Sequence, residues 1–402
     1  MKHARITALA AALFIALGAQ AQEAVRPDVG KPLQAAQELI KAGKFKEALG
    51  KVREADAAGA KNANESFLIE RMRIAAASGA GDMDTAARSF EALAASGKVS
   101  AADKARMAES IAGGYYRAKD YGKAMQWGQR YFKEGGTSPA LRTLLIQSQY
   151  LSGDFAGAAR ELMTEIQAAE KSGATPAQDR LNLLLNAAAQ MKDQSSTVFA
   201  LERLVTYYQK KEYWVDLLSR MQRKPGFSDR LVLDTYRLSL ATGSLSSAAD
   251  YMEMGQLALQ AGHEEEARQV VDKGFATGVL GTGAEAERHK RLRDLVARKV
   301  AEAKAGQAAA EAEAKAAKDG NGLVKLGFAR AMGGDTAGGL PMIQQGIAKG
   351  GLKRPEDAKL HLGIAQVLAG DSKAQATLRS VAGNDGTADL ARLWSLYARR
   401  RS

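Results

Sequence analysis

In "MAESIAGGYYRAKDYGKAMQWGQRYF", residues 107–132, apolar and small side chains fall at Ala108, Ile111, Ala112 and Tyr115. That i, i+3, i+4, i+7 stripe predicts an amphipathic helix, and after a polar break the stripe Tyr121, Ala124, Gly128 and Tyr131 predicts a second. The same succession of one-sided helix and short polar break runs through most of the chain. Only 7 prolines occur, and Ala, Leu, Lys, Glu, Gln and Arg dominate, so the expected fold is nearly all α.

The breaks share a pattern. "YLSGDFAGAAREL", residues 150–162, carries Gly153, Phe155, Ala158 and Leu162; "KAGKFKEALGKV" carries Gly43, Phe45 and Ala48; "GAGDMDTAARSF" carries Gly81, Met83 and Ala86. In "RAKDYGKAMQW", Lys119 takes the glycine place before Tyr121 and Ala124. Further copies lie at Gly243 and Gly262, and weaker ones at Gly334 and Gly370. From 43 to 81 is 38 residues, from 81 to 119 is 38 and from 119 to 153 is 34, which brackets the period of a helix-turn-helix solenoid. Glycine ends one helix in a left-handed conformation without a steric cost, and the following Asp caps the next helix. Phe155 then plugs the gap between the helices, and Ala158 lets them approach closely. From 243 to 262 is only 19 residues, so one helix there serves two turns, and residues 181–221 are helical in pattern but lack the turn residues. An irregular solenoid is expected.

These positions resemble the tetratricopeptide repeat. Ile111, Ala112, Tyr115, Tyr121 and Ala124 match its pattern, as do Tyr251, Met254, Gly255, Gly262 and Ala267, and then Leu362, Gly363 and Gly370. Lys119 departs at the glycine, Gly128 at a usual aromatic and Glu264 at another. The resemblance implies a right-handed α-solenoid whose first helices face a partner, usually a peptide or a protein helix. By that rule the candidate partner-binding residues are Arg71, Glu109, Tyr116 and Gln147. Between Glu285 and Gly320 the composition turns to Ala, Lys and Glu, and large apolar residues end at Val300, which suggests an exposed helical spacer or a frayed linker. The expected organisation is a signal peptide over 1–21, a solenoid over 22–284, the spacer over 285–320, and smaller helical repeats of tetratricopeptide-like or Sel1-like type over 321–402.

The first residues combine a basic start (Lys2, Arg5), an uncharged apolar run from Ile6 to Leu17, and Ala19-Gln20-Ala21. That is the layout of a cleaved secretory signal, and the run is shorter than the roughly 20 residues that span a bilayer. A retained signal anchor is the alternative. Cysteine is absent, which excludes a lipidation site after the signal, disulfides, zinc-thiolate sites and cysteine nucleophiles. Together these point to the periplasm of a Gram-negative cell. The net charge is +12, or +10 without Lys2 and Arg5, and favours anionic partners such as acidic proteins, acidic polymers and glycans. Export makes nucleic acid an unsuitable partner.

Little in the sequence carries chemistry. His263, His289 and His361 lie far apart, and "HEEEA" lacks a second histidine at 267, where Ala267 stands. Gly281-x-Gly283 has no preceding strand, so it reads as the loop after a helix ending near Phe275. No catalytic residue, metal site or cofactor is expected. Two aromatic clusters stand out, one around Tyr115, Tyr116, Tyr121, Trp127, Tyr131 and Phe132 and one around Tyr207, Tyr208, Tyr213 and Trp214. Tyr116, Trp127 and Phe132 fall off the packing stripe and could line a groove, Trp127 being the fifth candidate binding residue. The leading expectation is a non-catalytic periplasmic scaffold or adaptor that binds other envelope proteins in an assembly or transport system. The alternative is an accessory protein that binds polysaccharide or peptidoglycan. Intact-mass measurement of the chain exported from a Gram-negative host should place the mature N-terminus at Gln22; a full-length mass would establish the retained anchor instead.

Overall fold

The computed structural model describes residues 24–399; the expected signal peptide and its cleavage site lie outside them. Among the described residues the fold is all-α, with 20 α-helices and no strand, and consecutive helices pack on one another as in an α-solenoid. No helix among them is long and apolar enough to cross a membrane. Two compact units form: unit 1 runs to Ala168 and takes in Asn186–Lys192, and unit 2 comprises Ala169–Leu185 and the chain from Asp193 onward.

Unit 1 holds α1 (Pro27–Lys41), α2 (Phe45–Asp56), α3 (Ala63–Ala80), α4 (Met83–Ala95), α5 (Ala101–Arg117), α6 (Tyr121–Lys133), α7 (Pro139–Leu151) and most of α8 (Phe155–Lys171). The pairs α1 with α2, α3 with α4 and α5 with α6 form tight hairpins. The first helices also touch along the series, α1 on α3, α3 on α5 and α5 on α7, and so build a layer of their own.

The turn at Gly153 works as its residues dictate. Gly153 has φ +86°, the Asp154 amide donates back to the Gln149 carbonyl (2.8 Å), and Asp154 Oδ1 accepts the Gly157 amide (2.9 Å). Phe155 meets Tyr150 edge-on at 5.2 Å, and Ala158 is fully buried. Lys119 occupies the matching place with φ +61°, a conformation that costs a residue with a Cβ about 1–2 kcal/mol. Asp120 offsets part of that cost by capping α6 through the Lys123 amide.

Stacking of one hairpin on the next uses the residue just after the turn. Phe45 lies so close to Gly79 of α3 that a Cβ there would sit 2.1 Å from its ring, and Met83 fills the space beside Gly114 of α5 in the same way. Polar ties follow the same steps. Asp84 of α4 accepts from Tyr115 Oη–H of α5 and from Lys123 Nζ of α6, both at 2.7 Å.

Unit 2 contains α10 (Gln194–Tyr207), α11 (Lys211–Gln222), a 3-10 turn at Asp229–Leu231, α12 (Val232–Thr242), α13 (Ala248–Ala261), α14 (Glu264–Ala276), α15 (Ala286–Ala316), α16 (Asn321–Met332), α17 (Thr336–Lys349), α18 (Pro355–Ala369), α19 (Ala374–Arg379) and α20 (Thr387–Ala398). The one helix between the turns at Gly243 and Gly262 is α13. The remaining helix of the series, α9 (Gln178–Met191), has residues in both units. Turns that lack glycine flank α10: Lys192 and Gln209 take φ +55° and +50°. The stretch read as a spacer is the continuous helix α15, which packs on α13, α14 and α16 and buries His289, Leu292, Val296, Val300 and Ala314. Both it and the C-terminal helices belong to unit 2.

The end of unit 2 returns to its beginning, with α20 packed on α10 and α12. Arg230 bonds Asp357 through Nε and Nη2 (2.8 Å each) and reaches Asp385 (2.7 Å) and Thr387 (3.0 Å). The closest helix pair is α16 with α17, where backbones meet at glycines: a Cβ on Gly339 would lie 2.4 Å from the Gly327 carbonyl oxygen. Gly339→Ala must therefore push two backbones apart, at about 1–3 kcal/mol, which outweighs its gain in helix propensity of about 1 kcal/mol. Gly50→Ala in α2 meets nothing within 4 Å and should stabilise by up to about 1 kcal/mol. Chemical denaturation of the two variants should show these opposite signs.

Candidate functional site

Four of the five residues expected to bind a partner stand on first helices of unit 1: Arg71 on α3, Glu109 and Tyr116 on α5, and Gln147 on α7. All four are half-buried. Tyr116 and Gln147 are brought together, Tyr116 Oη–H donating to Gln147 Oε1 at 3.0 Å across the α5–α7 contact. Tyr116 also meets Tyr121 edge-on at 5.7 Å. Asp103 lies at the start of α5, and its carboxyl is held below the ordinary range by the Ser100 hydroxyl first, then by Arg106 and by Arg71 from α3.

Trp127 is different. It belongs to α6, a second helix, and meets the ring of fully buried Phe90 of α4 edge-on at 4.9 Å. Phe132 packs against the same core, and Arg142 lies over its ring at 5.1 Å. These aromatics cement hairpin to hairpin. In the second cluster Trp214 is fully buried, Tyr208 Oη–H donates to the Pro176 carbonyl (2.7 Å), and Tyr213 bonds Gln178 and Asn182.

Unit 2 holds a charged centre that the sequence did not signal. Arg237 of α12 donates from Nε and Nη2 to Glu266 of α14 (2.7 and 2.6 Å) and from Nη1 to Asp234 (2.6 Å), and all three are buried. Asp234 Oδ2 lies 3.2 Å from His361 Nε2 of α18. His361 stacks on Phe328 of α16 at 3.9 Å and 7°, His263 meets the same ring edge-on at 5.7 Å, and the Arg237 guanidinium sits 4.7 Å from its centroid. Two histidines 98 positions apart in sequence thus share one phenylalanine. Burial opposes the charge on Asp234, yet His361 and Arg237 hold its carboxyl well below the ordinary range. Burial likewise opposes the charge on Arg237, and Glu266 and Asp234 more than restore it.

The charges of this centre satisfy one another, and none of its side chains bonds a hydroxyl that could act as a nucleophile. Its evident work is to tie α12, α14, α16 and α18 together. Among the described residues no group of three or more His, Asp or Glu is placed to hold a metal ion. No protein-family model matches the chain, and no curated protein matches it.

His263 gives the centre a pH dependence. Burial, and then the Arg237 charge, push its imidazole from 6.5 down to about 2. Facing it are Arg237, His361 and Lys325 as repelling groups, with Asp234 attracting and Glu266 3.8 Å from Nδ1. Because the folded state keeps the ring neutral, its contribution is fully present above about pH 6.5 and declines below it, by up to about 1.4 kcal/mol per pH unit. Denaturation midpoints between pH 7.5 and 5 should show this slope, and His263→Leu should flatten it.

Proposed function

We propose that the protein is a non-catalytic interaction scaffold of the tetratricopeptide type. It acts in the periplasm after signal removal, within a cell-envelope assembly or transport system. The observation that carries this reading is the layer of first helices α3, α5 and α7, on which Arg71, Glu109, Tyr116 and Gln147 stand half-buried and Tyr116 bonds Gln147. Such a surface suits a protein partner. Tyr116 and Gln147 are already positioned by one another, so little of their side-chain freedom is lost on binding, and tyrosine and arginine supply much contact area per ordered side chain. The layer is assembled from several hairpins, so its extent is set by stacking rather than by any one loop.

The alternative, a polysaccharide- or peptidoglycan-binding accessory protein, draws on the aromatic clusters, Trp127 among them, and on the positive charge. That indole is engaged with Phe90, which leaves the scaffold reading ahead.

Cross-linking the full chain in envelope extracts, then identifying the products by mass spectrometry, tests the proposal. A Tyr116→Ala, Gln147→Ala double variant should weaken capture of the same partner about tenfold or more while its melting temperature stays within a few degrees of the parent. Trp127→Phe should leave capture unchanged. Equal capture by the double variant would remove the layer from the binding surface.

A further inference from the structure

A second surface of different chemistry lies on unit 2. A cleft of about 750 Å³ opens between one face of α13 and the segment Val279–His289 that leads into α15. Ala249, Glu253, Gln256 and Gln260 recur every three to four residues along α13 and form one wall, and Met252 and His289, both buried, form the floor. Leu257 and Val279 extend the apolar part, while Glu285 and Arg288 stand at the rim.

Three features narrow what the cleft would take. The first is charge. Glu253 and Glu285 line it against the single lysine or arginine among its lining residues, Arg288, which pairs with Glu285 at 3.2 Å. Among the described residues Glu253 has only the neutral Tyr236 hydroxyl as a partner, at 2.9 Å. The cleft is therefore net negative in a chain of net charge +12. The second is a spare donor on the floor. The His289 ring is 4% exposed, and its Nδ1 accepts the Gly281 amide at 3.1 Å. That bond assigns the proton to Nε2, and this N–H has no hydrogen-bond partner among the described residues. A buried ring with a free N–H at the bottom of a cleft is suited to a carbonyl oxygen from outside. The third is the combination of an apolar floor with the amides of Gln256 and Gln260 along one wall, which can both donate to and accept from one edge of an extended backbone.

We propose that this cleft binds a lysine or arginine side chain presented by an extended segment of a partner protein. The aliphatic stem lies on Met252 and Leu257, the cation faces Glu253, and a backbone carbonyl of the segment accepts the His289 Nε2–H. A long basic side chain is the residue type that offers both a stem to bury and a charge to pair. The site belongs to unit 2 and the first-helix layer to unit 1, and the cleft is tested with synthetic probes rather than with a captured partner, so either reading can fail without the other.

Fluorescence anisotropy on the full chain would use fluorescein-labelled Gly-Ala-Lys-Ala-Gly and its counterparts with norleucine or glutamate in place of lysine. The lysine peptide should bind at least tenfold more tightly than either counterpart, and raising the salt from 50 to 500 mM should weaken it severalfold. Glu253→Gln should lower its affinity about tenfold, whereas Arg288→Gln, which removes the like charge, should raise affinity or leave it unchanged. Glu302→Gln on the exposed part of α15 serves as the control that changes nothing. Circular dichroism and the melting temperature confirm that each variant is folded. Equal binding of the lysine and glutamate peptides would overturn the proposal, as would full binding by folded Glu253→Gln. Spermidine binding as tightly as the peptide would overturn the assignment to a protein segment.

Discussion

A helix that buries only one face is stable when the next helix returns to cover it, and the return must be made within two or three residues. Nearly every feature of this chain follows from that constraint. At Gly153 a left-handed residue ends α7, Asp154 caps α8, and fully buried Ala158 marks the close approach. Because the residue after a turn packs against the first helix of the following hairpin, as Phe45 does on Gly79 and Met83 on Gly114, each turn also fixes the next step of the stack. A continuous layer of first helices is the consequence. Propensity alone would leave helices of 12 to 18 residues marginal in water, so this packing supplies most of their stability.

Unit 2 meets the same constraint and adds two devices that act over long sequence distances. One is the buried Arg237 centre, which joins α12, α14, α16 and α18 through charges that satisfy one another. Removing one partner from such a centre costs far more than the centre itself contributes, since a buried charge is left behind. The other is the return of α20 to α10 and α12, with Arg230 held by Asp357, Asp385 and Thr387. Two glycine-mediated contacts between α16 and α17 bring backbones together where no side chain would fit. These ties gather the helices from α10 to α20 into one compact unit.

The all-α class was legible because glycine, a capping acid and a small residue recur at fixed offsets. Turns without that signature were not: Lys192 and Gln209 take the left-handed conformation, which no residue pattern announces. Tyr116 and Gln147 were legible as members of the first-helix layer, and their hydrogen bond links two first helices across 31 residues of sequence. Trp127 stands on a second helix and meets Phe90 of the preceding hairpin, a contact that a stripe along one helix does not show. The same applies to His263 and His361. Their shared contact with Phe328 arises from helices that meet only in the folded unit, and each histidine alone looks like an ordinary surface residue.

The account rests finally on which face of unit 1 meets a partner. Hydrogen–deuterium exchange on the full chain, free and bound to its cross-linked partner, reads this helix by helix. Slowed exchange is expected along α3, α5 and α7, with α2, α4 and α6 unchanged. Protection confined to the second helices, or none in unit 1, would contradict it.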